Sequence, residues 1–235
     1  MTEFTFSDEP QILSVHNYHP DTKEYIGISD CYVSPNTGLP AGCVLVDPGD
    51  CAPGYTHVWA GEAWEQIEDH RGKVLYDVSN GNSVTVNELG PLPEGVTAVA
   101  PQSQFDVWTE NGWVKDLAAI KENLVSNIKK YRDQLTSEYI IVDGLHFHSD
   151  TNSRIQQLTL ARMGKEEKIP AGVMWQTKNS GLIELTNELA SKFEDVTIEH
   201  DMRLFAHALM HINAVNSLEN VDEALAYDIT VGWQP

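Results

Sequence analysis

The stretch from Tyr55 to Asp77 limits what this chain can fold into more than any other. Trp59 and Trp64 stand five apart across the small-residue turn Ala60-Gly61, a second turn follows at Asp69-His70-Arg71-Gly72, and the run Lys73-Val74-Leu75-Tyr76-Asp77 alternates. Gly61 and Gly72 can take the positive φ of a tight turn, and the aromatic and β-branched flanks suit a half-buried pleated surface. The pattern predicts a three-stranded antiparallel meander. A weaker echo follows at Phe105 to Asp116, where Trp108 and Trp113 straddle Asn111-Gly112, a strong hairpin signal. Neither copy brings a catalytic constellation with it.

On either side of these copies the chain changes period. Residues 11–30 alternate around Pro20-Asp21, which predicts a hairpin. Residues 34–54 carry Pro35, Gly38, Pro40, Gly42, Pro48, Gly49, Pro53 and Gly54, the composition of an ordered loop or extended arm. Leu89 to Gly95 is another extended connector. From Leu117 to Leu135 the residues Ile120, Leu124, Ile128, Tyr131 and Leu135 form one stripe of a helix. Residues 139–148 read as a hairpin turning at Asp143-Gly144. Ser149-Asp150 or Thr151-Asn152 would then cap a short helix from Ser153 to Met163. Val173 to Thr177 and Leu182 to Leu185 make one more hairpin. Thr186 is the expected N-cap of a single last helix with the stripe Leu189, Phe193, Val196, Met202, Phe205, Leu209 and Ile212. The expected class is α+β: an antiparallel β-rich part over residues 1–116, a connecting spacer helix over 117–137, and an α+β part with a long final helix over 138–235.

Composition then removes whole classes of partner. With 15 Lys+Arg against 35 Asp+Glu the formal net charge is −20, and no basic cluster exists beyond Lys129-Lys130. Nucleic acid, which needs basic side chains to displace its counterions, is not an expected partner. No apolar run reaches the length of a membrane span and the N-terminus lacks a basic-then-apolar leader, so neither membrane insertion nor signal-led secretion is expected. Cys31, Cys43 and Cys51, odd in number and without CxxC spacing, suit a reducing compartment, with a single Cys31 to Cys43 bridge left open.

The candidate chemistry is sparse. His146 and His148 share one face of a predicted strand, with Asp150 next in phase, the geometry of a metal clip that lacks its further ligands. His207 and His211 have the spacing of two ligands on a helix, but Ala208 stands where the zinc-protease pattern needs Glu, so they read as interface or partly exposed histidines. Asp69, His70 and Arg71 read as a turn with its own hydrogen bonds rather than an acid–base pair. Serines lack a G-x-S-x-G context and the glycines are turn glycines, so no enzyme and no cofactor are expected. Trp59 and Trp108 are assigned to the core; Trp64 and Trp113 are left as interface anchors, or as part of a carbohydrate platform.

These motifs also carry a family resemblance. Tyr18-His-Pro-Asp-Thr-Lys-Glu-Tyr-Ile-Gly27, Ser34-Pro-Asn-Thr-Gly-Leu-Pro-Ala41, Trp59-Ala-Gly-Glu-Ala-Trp-Glu65, Asp69-His-Arg-Gly-Lys-Val-Leu-Tyr-Asp77, Gly90-Pro-Leu-Pro93 and the Trp108 to Trp113 hairpin resemble tailed-bacteriophage tail-fibre assembly proteins. Gly144-Leu-His-Phe-His-Ser-Asp-Thr-Asn-Ser-Arg154, Trp175-Gln-Thr177, Leu182-Ile-Glu-Leu185 and Asp228-Ile-Thr-Val-Gly-Trp233 resemble a domain of unknown function found downstream in phage tail proteins.

The resemblance implies a non-enzymatic assembly chaperone or fibre-tip accessory protein. It would bind the C-terminal end of a trimeric tail fibre in the host cytoplasm, and in some relatives stay at the fibre tip of the virion. Trp64, Trp113, Asp69, His70 and Arg71 are then the expected fibre contacts, and self-association or trimeric assembly is compatible with them. A virion-borne module for a host surface glycan is the alternative. A metal-dependent hydrolase built on His146 and His148 stands third.

Overall fold

In the computed structural model, which describes residues 4–233, the first alternating run becomes the antiparallel hairpin of β1 (Gln11–Tyr18) and β2 (Tyr25–Val33). The two-residue β3 (Cys43–Val44) adds to the far side of β1, giving the order β2-β1-β3. The tryptophan stretch opens as expected with β4 (Tyr55–Trp59) paired to β5 (Trp64–Glu68). The predicted meander ends there. β6 (Val74–Asp77) leaves β5 and takes β7 (Ser83–Thr85) on one side and β8 (Val96–Thr97) on the other. The turn decides this: the Asp69 N–H donates back to the Gly54 carbonyl, closing the hairpin, while the Gly72 N–H donates to Val86 and draws the chain into a new sheet. β9 (Asp106–Thr109) and β10 (Gly112–Lys115) then form the second tryptophan hairpin.

These ten strands are one five-strand module built twice. Each copy is a hairpin, a two-residue strand returning to the outer side of the hairpin's first strand, and a tryptophan hairpin. The register agrees residue for residue: Asn17 faces Cys43 and His16 faces Val44, as Asp77 faces Val96 and Tyr76 faces Thr97. The next N–H, of Tyr18 or Val78, donates to the carbonyl of Gly42 at 2.8 Å or Gly95 at 2.9 Å. Both glycines have positive φ, 89° and 73°, a backbone that L side chains rarely adopt. The echo seen in the sequence is the C-terminal end of this duplication.

The first compact unit ends at Trp113 and the second begins at Val114. In the second, α1 (Leu117–Glu138) starts at Asp116, whose carboxylate accepts the Ala118 N–H. β11 (Tyr139–Val142) and β12 (Leu145–His148) meet at Asp143 and Gly144, both at positive φ as a two-residue hairpin turn requires. Asp150 caps α2 (Thr151–Lys165), accepting the N–H groups of Asn152 and Ser153. β13 (Met174–Thr177) pairs with β14 (Gly181–Glu184). One core gathers Ile140, Val142, Leu185, Phe147 and Phe193, the two rings meeting edge to face at 4.8 Å.

The expected last helix is two helices. Thr186 caps the short α3 (Asn187–Ser191), and after Lys192 the chain starts again as α4 (Phe193–Ser217). The single stripe also divides: Leu189, Phe193 and Val196 face the core just described, whereas Met202, Phe205 and Leu209 are exposed. The side of α4 that packs in a second core is Ala208 and Val215, against Ile128 of α1. The sequence stripe joined two different faces because the buried one passes through His200 and the small Ala208. A last short helix, α5 (Val221–Ala226), capped by Asn220, was not expected. Among the described residues no helix is long and apolar enough to cross a membrane.

Candidate functional site

An arm of prolines and glycines leaves backbone groups that some other element must satisfy. In the first module β5 does so. The Trp64 indole N–H donates to the Val46 carbonyl at 2.7 Å, and Gln66, on the same side of the strand, donates to Asp50 at 2.9 Å and accepts from the Ala52 N–H at 3.2 Å. The indole is also packed edge to face on Trp59 at 5.3 Å and on Tyr25 at 5.4 Å. Trp113 repeats the arrangement, its N–H on the Val99 carbonyl at 2.7 Å and its ring 5.2 Å from Trp108. Both anchors are half-buried and hold equivalent places in the two modules.

Asp69, His70 and Arg71 do come together, as a brace. Arg71 donates to both carboxylate oxygens of Asp69, at 2.9 and 2.7 Å, and reaches Glu24 at 2.7 Å, at the entry to β2. Its hydrogen bonds draw the Asp69 carboxyl down to about 2 and lower Glu24 as well, while the two carboxylates hold the guanidinium above its usual range. The His70 ring lies between Glu68 at 2.7 Å and the Lys73 ammonium at 2.9 Å. The brace ties the end of β5 to the start of β2.

What it braces is an open edge. β2 is the outer strand of its sheet, nine residues long, and its solvent face presents Ile26, Ile28 and Tyr32, with Asp30 between the last two and Ile12 of β1 directly opposite Tyr32. All four apolar side chains are more than 60% exposed. Beside them lies a cleft of about 580 Å³ lined in part by Tyr18, Lys23, Ile26, Ile28 and Gly42. Unpaired strand edges are templates for another strand, and clustered exposed apolar side chains mark interaction surfaces. The matching strand of the second module, β7, has three residues, so duplication of the fold has not duplicated the edge. The alternation predicts the hairpin but no site on it; the signal for one was Ile26, Ile28 and Tyr32 on the side of a hairpin that water should have made polar.

Among the described residues the remaining candidates do not gather into one site. The Cys31 and Cys43 thiols are free, and burial, followed by the neighbouring Cys31 thiol, pushes the Cys43 thiol up. His146 stacks flat on Tyr139 at 4.5 Å, and the His148 carbonyl accepts from Gln157. His211 places one ring nitrogen 2.8 Å from the Tyr227 hydroxyl and the other 2.9 Å from the Val231 carbonyl, with its ring stacked on Trp233. Among the described residues no three His, Cys, Asp or Glu side chains gather as a metal site.

Comparison with known proteins gives matches for both parts of the chain. Residues 3–67 match the family described as tail fiber assembly protein, N-terminal domain, and residues 119–231 match a domain of unknown function, DUF4376. The prophage tail fiber assembly protein homolog TfaR of Escherichia coli (strain K12) is 38% identical over 142 residues, 58% of this chain and 74% of its own length. The tail fiber assembly protein of Escherichia phage lambda is 37% identical over 142 residues, 58% of this chain and 73% of its own. Protein TfaD of Escherichia coli (strain K12) is 38% identical over 108 residues, 45% of this chain and 52% of its own. No solved structure matches.

Proposed function

Because this chain belongs to the tail fiber assembly protein family, we propose that it is an assembly chaperone that binds the C-terminal end of a tail fibre through the open edge of β2. It changes no covalent bond and works in the host cytoplasm, where the fibre chains are made. The observation that carries the reading is β2 itself, a long, braced edge strand with Ile26, Ile28 and Tyr32 turned to solvent. A fibre whose strands pair between chains exposes edges and apolar faces until its chains are in register. A preformed edge offers those strands main-chain hydrogen bonds and side-chain contacts, and so keeps them from pairing at random. The net charge of −20 repels further copies of the complex and favours solubility while the fibre assembles.

Co-expression tests this. A fibre made with this chain is expected to be recovered trimeric, and to aggregate when the chain carries Ile28→Asp or Tyr32→Asp, substitutions that leave the chain's own thermal melt unchanged. Variants that assemble the fibre as well as the parent chain would remove β2 from the reading.

A further inference from the structure

The open edge of β2 is closed at one end. Just before the strand begins, the Trp59 N–H of β4 donates to the Lys23 carbonyl at 2.9 Å, and Glu24 forms an antiparallel bridge with Val58. Among the described residues this pairing goes no further than Glu24, so β2 is blocked at its start and free beyond it. A strand laid antiparallel on β2, the slightly more stable orientation, runs from beside Val33 toward Tyr25 and meets β4 there. It has to end or turn aside. A parallel strand begins at the same place and presents an amino terminus.

Charge separates these cases. Residues 1–113 hold three Lys or Arg in all, Lys23, Arg71 and Lys73. Arg71 is committed to Asp69 and Glu24, and the Lys73 ammonium lies 2.9 Å from the His70 ring. Lys23 donates to the Pro20 carbonyl at 2.6 Å and sits 5.2 Å over the Tyr18 ring, and it forms no ion pair among the described residues although Asp21 and Glu24 flank it in sequence. An ammonium has three donors, so Lys23 has room for a carboxylate. It lines the cleft of about 580 Å³ together with Ile26 and Ile28, the first exposed apolar side chains of the edge. An amino terminus brought to this place meets a like charge; a C-terminus meets an opposite one.

We infer that Lys23 receives the terminal carboxylate of the fibre strand that pairs with β2, so that this chain recognises a finished C-terminus and not an internal segment. The inference rests on β2 being the fibre-binding edge, and adds to it a direction, antiparallel, and a stopping point, beside Tyr25. With a net charge of −20, the surface as a whole disfavours a carboxylate, which makes the one at Lys23 selective. A fibre chain still esterified on the ribosome has no free carboxylate, so binding of this kind begins only after release.

The probe is a fluorescent peptide of the fibre's last dozen residues, titrated with the full chain and read by anisotropy. The free acid is expected to bind about threefold more tightly than its C-terminal amide, the scale of one partly exposed ion pair, and more tightly than the same peptide extended by Gly-Ser-Gly-Ser. Lys23→Gln is expected to abolish the preference for the acid, Lys23→Arg to keep it, and added salt to shrink it. Ile28→Asp is expected to abolish binding of every form. Acid and amide that bind alike to the parent chain would overturn the inference, as would a preference that survives Lys23→Gln or a free acid that does not bind at about 100 μM, a weak-binding concentration. Where acid and amide bind alike and Ile28→Asp still removes both, β2 stands as the edge and the carboxylate alone is lost. Fibre assembly indifferent to Ile28→Asp removes both readings.

Discussion

Arg154 of α2 grips Asp201 of α4 through two parallel hydrogen bonds, Nη1 to Oδ2 at 2.6 Å and Nη2 to Oδ1 at 2.8 Å. The same guanidinium donates to the carbonyls of Thr136 at 2.7 Å and Ser149 at 2.9 Å, so one side chain joins the end of α1, the end of β12, α2 and α4. Arg154→Met leaves the Asp201 carboxylate without its fork, while the Thr136 carbonyl keeps the Ser149 hydroxyl as a donor, and is expected to lower the unfolding free energy by about 2 to 4 kcal/mol in urea titrations. Arg154→Lys should recover less than half, since an ammonium cannot reproduce the fork.

The tryptophan N–H bonds give a matched pair of substitutions. Trp64→Phe keeps most of the ring packing and removes the donor from the Val46 carbonyl, for an expected loss of about 1 kcal/mol and faster amide exchange in the arm around Val46. Trp113→Phe should have the same effect at Val99. A loss at only one of the two sites would show that the modules are equivalent in geometry but not in energy.

Asp69 reports on the brace through its titration. Its carboxyl is lowered from 3.8 to about 2, chiefly by the Arg71 side chain. Its contribution is therefore fully present above the ordinary carboxylate range and is lost as pH falls through about 2. Carboxyl-carbon NMR should find that midpoint. In Arg71→Met it should return to about 3.9, the unperturbed value, and Glu24 should rise with it.

His200, buried on α4, has the opposite chemistry and the same sign. Burial is the main cause that lowers its pKa below the ordinary 6.5, against the attraction of Asp201. The folded chain holds it neutral, so stability is complete above 6.5 and declines as pH falls through the folded value. Urea midpoints measured from about pH 7.5 to pH 5 should fall, and His200→Leu should flatten that slope.

Much of the architecture is legible in the sequence because its signals are local. The two tryptophan hairpins, the Asp143-Gly144 turn, the caps at Asp150 and Thr186, and the stripe of α1 each depend on a few adjacent residues. The lost meander depended on something else. β6 finds its partners in strands of two and three residues, too short to show a period, and a hydrogen bond from Gly72 to Val86 makes the choice. On α4 the hydrophobic pattern was real, but a pattern cannot say which apolar side has a neighbour. At Asp69 to Gly72 the local bonds between Asp69 and Arg71 were readable, but the reach of Arg71 to Glu24 and of Gly72 to Val86 was not, because both partners are distant in the chain. The open edge of β2 was not, because a strand becomes an edge only once the order of its sheet is known.

The duplicated module is also short-range in a way that bears on timing. Among its strand ladders no partners lie further apart along the chain than His16 and Val44. Such neighbourly pairing closes quickly, and each copy can be complete soon after its last residue leaves the ribosome. A helper built this way is ready early, while a fibre whose strands must find mates on sister polypeptides is still waiting for them to arrive.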